Sequence, residues 1–552
     1  MGLSTFVHQS FWGRVFYHFS GGKLFSYKEE APDYIIPDKY LDTKKSQIEE
    51  SEETVEDSGS SVSSSNSASD CDTETLQVGD RILVTWDGED DPDNPKNWPL
   101  WQKIIFMFEI SFLTVSVYMA SAIYTPGVDY IIEDLGVSKI KATLPLTMFV
   151  VGYGIGPMIF SPASENAIFG RTNIYIVTLF IFFLLQIPIS LVNNLAALTV
   201  LRFISGFFAS PVLGTGGASM GDVIDKPYMP IAIGVWSMGA VCGPSLGPMF
   251  GSIMIVKRNW HWTFWLICML SGIAFVILSW FLPETYEKTL LLRKAERLRK
   301  LTGNDKIVSE GEIENQGLTS RQLFIDTLWR PFEIMLFEPI VFSIDMYIAL
   351  VYSIMYLWFE AFPIVFADLY HFALIPLGLS FLSVLVGICC SAVVYVFIMH
   401  RKYTKRKLRG EYVPPEVFLP TMILGSISMP IGVFIFGWSA TAKAHWMGPM
   451  IGAGIFCFGA FINFQTSFNY LGSSFPRYLA SVFAGNAFLR SVIAGCFPLF
   501  GAPLFNNLAT PNYPVGWGSS LLGFIATIMI IIPVVFYLKG PSIRARSKYS
   551  GD

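Results

Sequence analysis

The chain has 552 residues, of which 52% are hydrophobic and only 15% charged, with 47 Phe, 46 Gly and 32 Pro. Soluble domains carry about 25% charged residues, so this composition excludes an ordinary soluble domain and belongs to a polytopic membrane protein. The formal charge of −5 carries little by itself, because the placement of the charges is what matters. Of seven cysteines, Cys242, Cys268, Cys389, Cys457 and Cys496 fall in apolar stretches, Cys390 adjoins Cys389, and Cys71 lies in a polar tail. That distribution supports neither a disulfide framework nor a metal site. The N-terminus lacks the basic region, short apolar core and small-residue cleavage site of a signal peptide, so the first span is expected to target uncleaved.

Residues 1–102 read as a tail in three parts. Residues 1–27 are aromatic (Phe6, Phe11, Trp12, Phe16, Tyr17, Phe19) and carry Arg14, His18 and Lys23, which predicts either an amphipathic segment on the membrane surface or a merely sticky tail. Residues 43–80 are Ser, Glu and Asp, cannot bury a core and are expected to be disordered, as a solvating tail or a phosphorylated one. Residues 85–99, TWDGEDDPDNPKNWP, form a turn-rich polar collar ending in an interfacial tryptophan.

From Lys103 onward, apolar stretches near the ~20 residues a bilayer requires recur along the chain. They cover 103–123, 142–162, 173–192, 196–220, 230–255 and 262–282, then 335–358, 374–398, 416–438, 446–470, 478–505 and 515–538. The expected architecture is an all-α membrane protein of twelve transmembrane helices. A six-helix half (103–282), a polar loop (283–334), a second half (335–538) and a basic tail (539–552) follow in order. Lys and Arg crowd the central loop (Lys288, Arg293, Lys294, Arg297, Arg299, Lys300, Lys306, Arg321, Arg330), the segment after span eight (Arg401, Lys402, Lys405, Arg406, Lys407, Arg409) and the tail (Lys539, Arg544, Arg546, Lys548). The alternate loops hold only Lys139, Lys141, Lys257, Arg258 and Lys443. The positive-inside rule therefore places both termini and the central loop in the cytoplasm.

In the central loop, LPETYEKTLLLRKAERLRKLTG, Leu291, Ala295 and Leu298 share one helical face with basic residues on much of the remainder. This predicts a surface helix lying at the inner leaflet, first of all as a tether between halves. Span five reads GVWSMGAVCGPSLGPMFG, with Gly239, Gly243, Gly247 and Gly251 at every fourth position and Pro244 and Pro248 among them. Spacing alone gives a kinked packing helix with one bare face that admits a close neighbour.

Charges inside spans are costly and face a cavity or a partner. Arg202 heads RFISG in span four. An arginine does not release its proton, so its role would be electrostatic, on a neighbouring acid or on ordered water, or else structural, bonded to backbone carbonyls. Asp345, Tyr352, Tyr356 and Glu360 mark span seven, which ends FEAFP. They make either a packing stripe or a ligand wall for a cationic or aromatic molecule, with Glu360 alternatively in the outer interface and Asp345 alternatively hydrated. Tyr118 in span one, Phe461 and Gln465 in span ten and Arg490 in span eleven are weaker cavity candidates. Between spans two and three, GPMIFSPASENAIFGR supplies Glu165, Gly170 and Arg171, and Asp222 ends span four. No phosphate-cradling loop of the G-x-x-x-x-G-K-[ST] type occurs, so ATP is not the energy source. Neither a zinc-binding H-E-x-x-H nor a nucleophile elbow supports an enzyme, and no basic stripe supports a nucleic-acid binder.

The collar resembles the W-D-G-x-D-D-P-x-N-P-x-N-W signature of fungal major-facilitator drug exporters. The GP-rich span resembles the antiporter signature of drug:proton exchangers, and RFISG their fourth-span arginine motif. LPET with RKA, and FEAFP, point the same way. From about Trp86 to the C-terminus the chain is thus similar to the fungal multidrug:proton antiporters conferring resistance to azoles, benomyl and methotrexate. The resemblance implies a major-facilitator fold whose two halves rock about a midplane cavity lined by spans one, four, seven and ten. It implies plasma-membrane export of amphipathic drug-like molecules, such as azole antifungals, in exchange for protons, by a monomer that needs no cofactor beyond the proton gradient and no metal. Arg202 would serve proton coupling, and span five would seal the halves on the outer side. Glu165, Gly170, Arg171 and Asp222 would latch the cytoplasmic side, although two extra residues separate Glu165 from Gly170. Rival readings are a polyamine or other metabolite exporter, a sugar or nutrient symporter, and a non-transporting receptor on the same scaffold.

Overall fold

The computed structural model describes residues 7–31, 34, 36–37, 40, 77–78, 81–317, 329–547 and 549. The acidic stretch 43–80, apart from Gln77 and Val78, lies outside the described residues, as do Cys71, Arg321 and Lys548.

Among the described residues, twelve helices are long and apolar enough to cross a membrane. Spans one to six are Leu100–Leu135, Lys139–Ser164, Arg171–Leu191, Leu195–Val223, Lys226–Lys257 and His261–Phe281. Spans seven to twelve are Pro339–Leu369, Leu374–Leu408, Pro415–Ser439, Met447–Ser474, Ser481–Asn507 and Gly516–Arg544. Local chemistry sets two of the ends. Asn194 caps span four by accepting from the amide of Ala196 at 2.8 Å, and Gly136 closes span one in the left-handed conformation.

Lipid supplies no hydrophobic drive between helices, so close packing needs small residues. In span five the four-residue glycine stripe faces span one. A Cβ on Gly239 would stand 2.9 Å from the Ser111 carbonyl, and one on Gly243 2.6 Å from the Tyr118 Cβ. Gly247 and Gly251 meet the backbone of span one around Ile123. The stripe therefore binds two helices of one half. Contact between the halves uses the adjoining face of span five and the pairing of span two with span eleven. At the end away from the central loop, Gly378 of span eight sits against Ser252 and the Pro248 carbonyl, and Lys139 reaches Glu360 at 3.3 Å. At the loop end, Thr404 donates to the Pro227 carbonyl at 2.9 Å and Tyr395 to that of Pro230 at 3.3 Å. Both ends are closed, and the cavity between spans five, seven, eight and ten holds only about 20 Å³.

The central loop departs from expectation. Its helix, Glu287–Thr302, presents Leu291, Ala295 and Leu298 not to lipid but to Tyr40, Val84 and Ile307, which together form a small separate core. The reason is strand pairing across 225 residues of sequence, Ile82 with Ile307. Strand β2 (Arg81–Leu83) lies between β1 (Gln77–Val78) and β3 (Ile307–Val308), antiparallel to the first and parallel to the second. The collar is clamped alongside: Lys294 pairs with Asp87 at 2.7 Å, and the Trp86 indole donates to Glu287 at 2.8 Å. The N-terminal helix Phe11–Phe19 docks on the same end. Trp12 and Phe16 stack on Trp280 of span six, and Arg14 donates to Asn173 of span three at 2.6 Å.

Candidate functional site: a polar chain between two buried arginines

Arg202 in span four is fully buried, a cost that only specific partners offset. Its Nη2 donates to the Ser121 carbonyl at 3.0 Å. Around it stand the rings of Phe149, Tyr124 and Phe264, with the guanidinium carbon 4.2, 5.3 and 5.5 Å from their centroids. Desolvated cation–π contacts are worth about 2 kcal/mol or more, which accounts for a charge held in this place. Among the described residues, Arg202 makes no ion pair, and its Nε and Nη1 have no hydrogen-bond partner. The neighbouring acid anticipated from sequence is not there. An aromatic cage and one carbonyl hold this charge.

Ser121 carries the chain onward into the other half. Its Oγ accepts from the Tyr356 hydroxyl at 3.3 Å, and Tyr356 and Tyr352 share a hydroxyl contact at 3.3 Å with their rings edge to face. Over the Tyr352 ring lies Arg490 of span eleven, at 4.8 Å, which also faces Phe464 and Phe468 of span ten at 5.5 and 5.9 Å. Tyr118 packs edge to face on Tyr153 at 4.8 Å beside this group, its hydroxyl without a hydrogen-bond partner. One helical turn before Arg490, the Asn486 amide donates to Asp345 Oδ1 at 2.7 Å. Asp345 is fully buried, so hydration, the alternative allowed by its position near the end of span seven, does not apply.

Glu360, Phe461 and Gln465 fall outside this group. Glu360 is 6% exposed and pairs with Lys139 at the far end of the bundle. Phe461 packs edge-on against Tyr395 of span eight, and Gln465 donates to Ser237 of span five. These two belong to the seam between spans five, eight and ten, where Asn469 also reaches the Tyr395 hydroxyl at 3.1 Å.

At the loop end, Arg171 grips Asp222 with two bonds, Nε to Oδ2 at 2.5 Å and Nη2 to Oδ1 at 3.2 Å. Thr285 donates to the same carboxylate at 3.2 Å. Glu165 makes no ion pair within 4 Å among the described residues, and burial pushes its carboxyl above the usual range against the pull of Arg171. The carboxylate nearest Gly170 is instead Glu284 of the LPET string. It accepts the amides of Arg171, Thr285 and Tyr286, each at 3.1 Å. Gly170 has φ +69°, and a Cβ there would strike Glu284. The two extra residues after Glu165 set it back, and Glu284 takes the seat.

Residues 110–498 match the Major Facilitator Superfamily. The chain belongs to it. The family makes the protein a secondary transporter and not an enzyme. A cycloheximide resistance protein of Candida maltosa is 55% identical over 99% of this chain and 100% of its own length. Fluconazole resistance protein 1 of Saccharomyces cerevisiae is 43% identical over 89% of each chain. Multidrug transporter FLR1 of Candida glabrata is 44% identical over 88% of this chain and 86% of its own. Among solved structures, the proton:xylose symporter XylE bound to 6-bromo-6-deoxy-D-glucose shares the fold, with a TM-score of 0.55 at 13% identity over 81% of this chain and 96% of that one. The expected major-facilitator fold and the kinship with fungal resistance transporters are both borne out.

Within this transporter, sequence reasoning passed over several members of the polar chain. Asn486 stands four residues before Arg490 in an apolar span, a helical-face signal that was legible. Ser121, Tyr153, Phe464 and Phe468 carry no comparable mark, since small or aromatic residues fill every face of these spans. Glu109 in span one was also missed; it is buried, with Oε2 lacking a partner.

Proposed function

We propose that this chain is a proton-coupled multidrug efflux antiporter of the plasma membrane. With both termini cytoplasmic, it exports amphipathic xenobiotics, azole antifungals among them, as a monomer. The observation that carries the reading is the unbroken chain from Arg202 through Ser121, Tyr356 and Tyr352 to Arg490, which crosses from one half to the other at the closed cavity. Relatives named for resistance to cycloheximide and fluconazole support drug efflux, and the absence of a nucleotide-cradling motif in the sequence supports an ion gradient as the energy source.

Tyr118, Tyr352, Tyr356, Phe464 and Phe468 offer ring faces to a flat ligand, and each good aromatic contact contributes ~1 kcal/mol beyond burial. Such faces discriminate little between one aromatic compound and another, as broad specificity requires. Rocking of the halves would break the Thr404 and Tyr395 contacts to open the cytoplasmic side, and the Lys139–Glu360 pair with the Gly378 contact to open the outer side. Arg202 holds a positive charge on this path. Arg171 and Asp222, with Glu284 where Glu165 was expected, form the cytoplasmic latch.

Export is tested by loading labelled fluconazole into pump-deleted yeast that express the chain. Efflux that stops with a protonophore is the expected result. Accumulation equal to that in empty cells rejects export of this compound, and efflux indifferent to the protonophore rejects proton coupling.

A further inference from the structure

We infer that Asp345 carries the exchanged proton, and that Arg490 reads its charge state by moving between Asp345 and the aromatic faces of the drug site. This rests on the antiport reading above. The Asp345–Asn486 pair makes one hydrogen bond and leaves two atoms without a partner, Asp345 Oδ2 and Asn486 Oδ1. Both are acceptors when the carboxyl is ionised, and nothing then relates them except repulsion. When the carboxyl is protonated, Oδ2–H donates to Asn486 Oδ1, and the acid and amide close a ring of two hydrogen bonds. One proton on Oδ2 would supply the donor that both orphaned atoms lack. No cation lies within 4 Å of Asp345 among the described residues, and an unpaired ionised carboxylate buried here would cost several kcal/mol.

Arg490 stands one turn beyond Asn486 on the span-eleven face that meets Asp345, and its Nε is also without a partner. Of the other charged groups around the base of span seven, Glu333 accepts from Tyr549, Arg330 lies over Tyr478, Arg544 pairs with Glu416 at 2.9 Å, and Glu338 is buried at the start of the span. When Oδ2 gives its proton to water, the new carboxylate draws Arg490 off Tyr352, Phe464 and Phe468. Those rings then stand free for a drug. Re-protonation from the outer side ends the attraction, and Arg490 returns to the rings and displaces the drug. Proton and drug exclude one another through one side chain, which is the condition for exchange.

The test uses purified full-length protein, measuring labelled fluconazole binding from pH 5 to 8 and proton release into weak buffer on drug addition. Wild type is expected to release protons and, below the apparent pKa, to bind up to about tenfold tighter for each unit by which the pH rises. Asp345→Asn holds Arg490 on the rings, so it should bind at least tenfold more weakly at pH 8, with a flat profile and no proton release. Asp345→Glu should restore both. Asp345→Asn combined with Arg490→Gln should regain tight binding while staying flat, which shows that the single variant is folded and that Arg490 is the competitor. Proton release by Asp345→Asn equal to wild type overturns the inference and leaves antiport standing, as does a double variant no tighter than the single. Wild type that binds drug and releases no proton sinks the antiport reading itself.

Discussion

Arg202 and Arg490 are both buried guanidinium groups caged by three aromatic rings, one in each half of the transporter. They differ in what lies beyond the cage. Arg202 has a fixed backbone carbonyl and no acid, so its charge has nowhere to go. Arg490 stands one helical turn from Asn486, which is bonded to Asp345, and an acid changes charge with a proton. A third arginine, Arg171, sits on a two-bond carboxylate partner. On the inference drawn above, the same side chain serves as an anchor, a switch or a clamp according to the nearest carboxyl.

The comparison is broken most sharply at Arg202. Arg202→Ala removes the cation and leaves its cage empty, and drug efflux at matched surface expression should fall to that of empty cells. Retention of half the wild-type rate would show that the anchor is dispensable. At the clamp, Asp222→Asn strands Arg171 in a buried place without its counter-charge. Loss of one partner of such a pair costs about 3–5 kcal/mol. The purified protein should melt many degrees lower, and an unchanged melting temperature would show that the pair adds nothing.

Gly243→Val sharpens the packing side of the account, because its side chain would drive Tyr118 and span one away from span five. Overpacking typically costs about 1–3 kcal/mol, so surface abundance should drop severalfold before any change in drug preference. Tyr356→Phe keeps the ring and removes the hydroxyl that joins Tyr352 to Ser121. A single neutral hydrogen bond contributes about 1 kcal/mol, which corresponds to about a fivefold loss of transport at unchanged abundance. The smallest effect belongs to Glu165→Gln. Burial raises the carboxyl pKa in the folded protein, so its ionised form opposes folding as pH rises through that value. The amide should leave melting equal at pH 5 and equal or slightly higher at pH 8; a clear loss at pH 8 would make Glu165 a working member of the latch.

Most of the fold was legible because the bilayer imposes length and apolarity on every span, and both survive in the sequence. Boundaries were less so. Span one runs to Leu135, through the short turn Thr125–Gly127 and a helix carrying Asp129 and Glu133, because a helix continues past the apolar core into polar surroundings. The central-loop helix was found, but its apolar face was given to the membrane, since pairing of Ile82 with Ile307 leaves no local trace. Within the site, Tyr118, Tyr352, Tyr356, Asp345, Arg202 and Arg490 were named one by one. Which of them meet depends on helix rotation, and spans that are apolar all round give that no sign. Span ten shows the consequence: Phe461 and Gln465 face span five and span eight, while Phe464 and Phe468, a turn on, meet Arg490.

The most direct measurement is made on purified protein reconstituted into vesicles, with an outward proton gradient imposed and labelled fluconazole supplied outside. Proton:drug exchange predicts uptake above equilibrium that collapses when a protonophore is added. Uptake that is the same with and without the gradient would contradict coupling between the two.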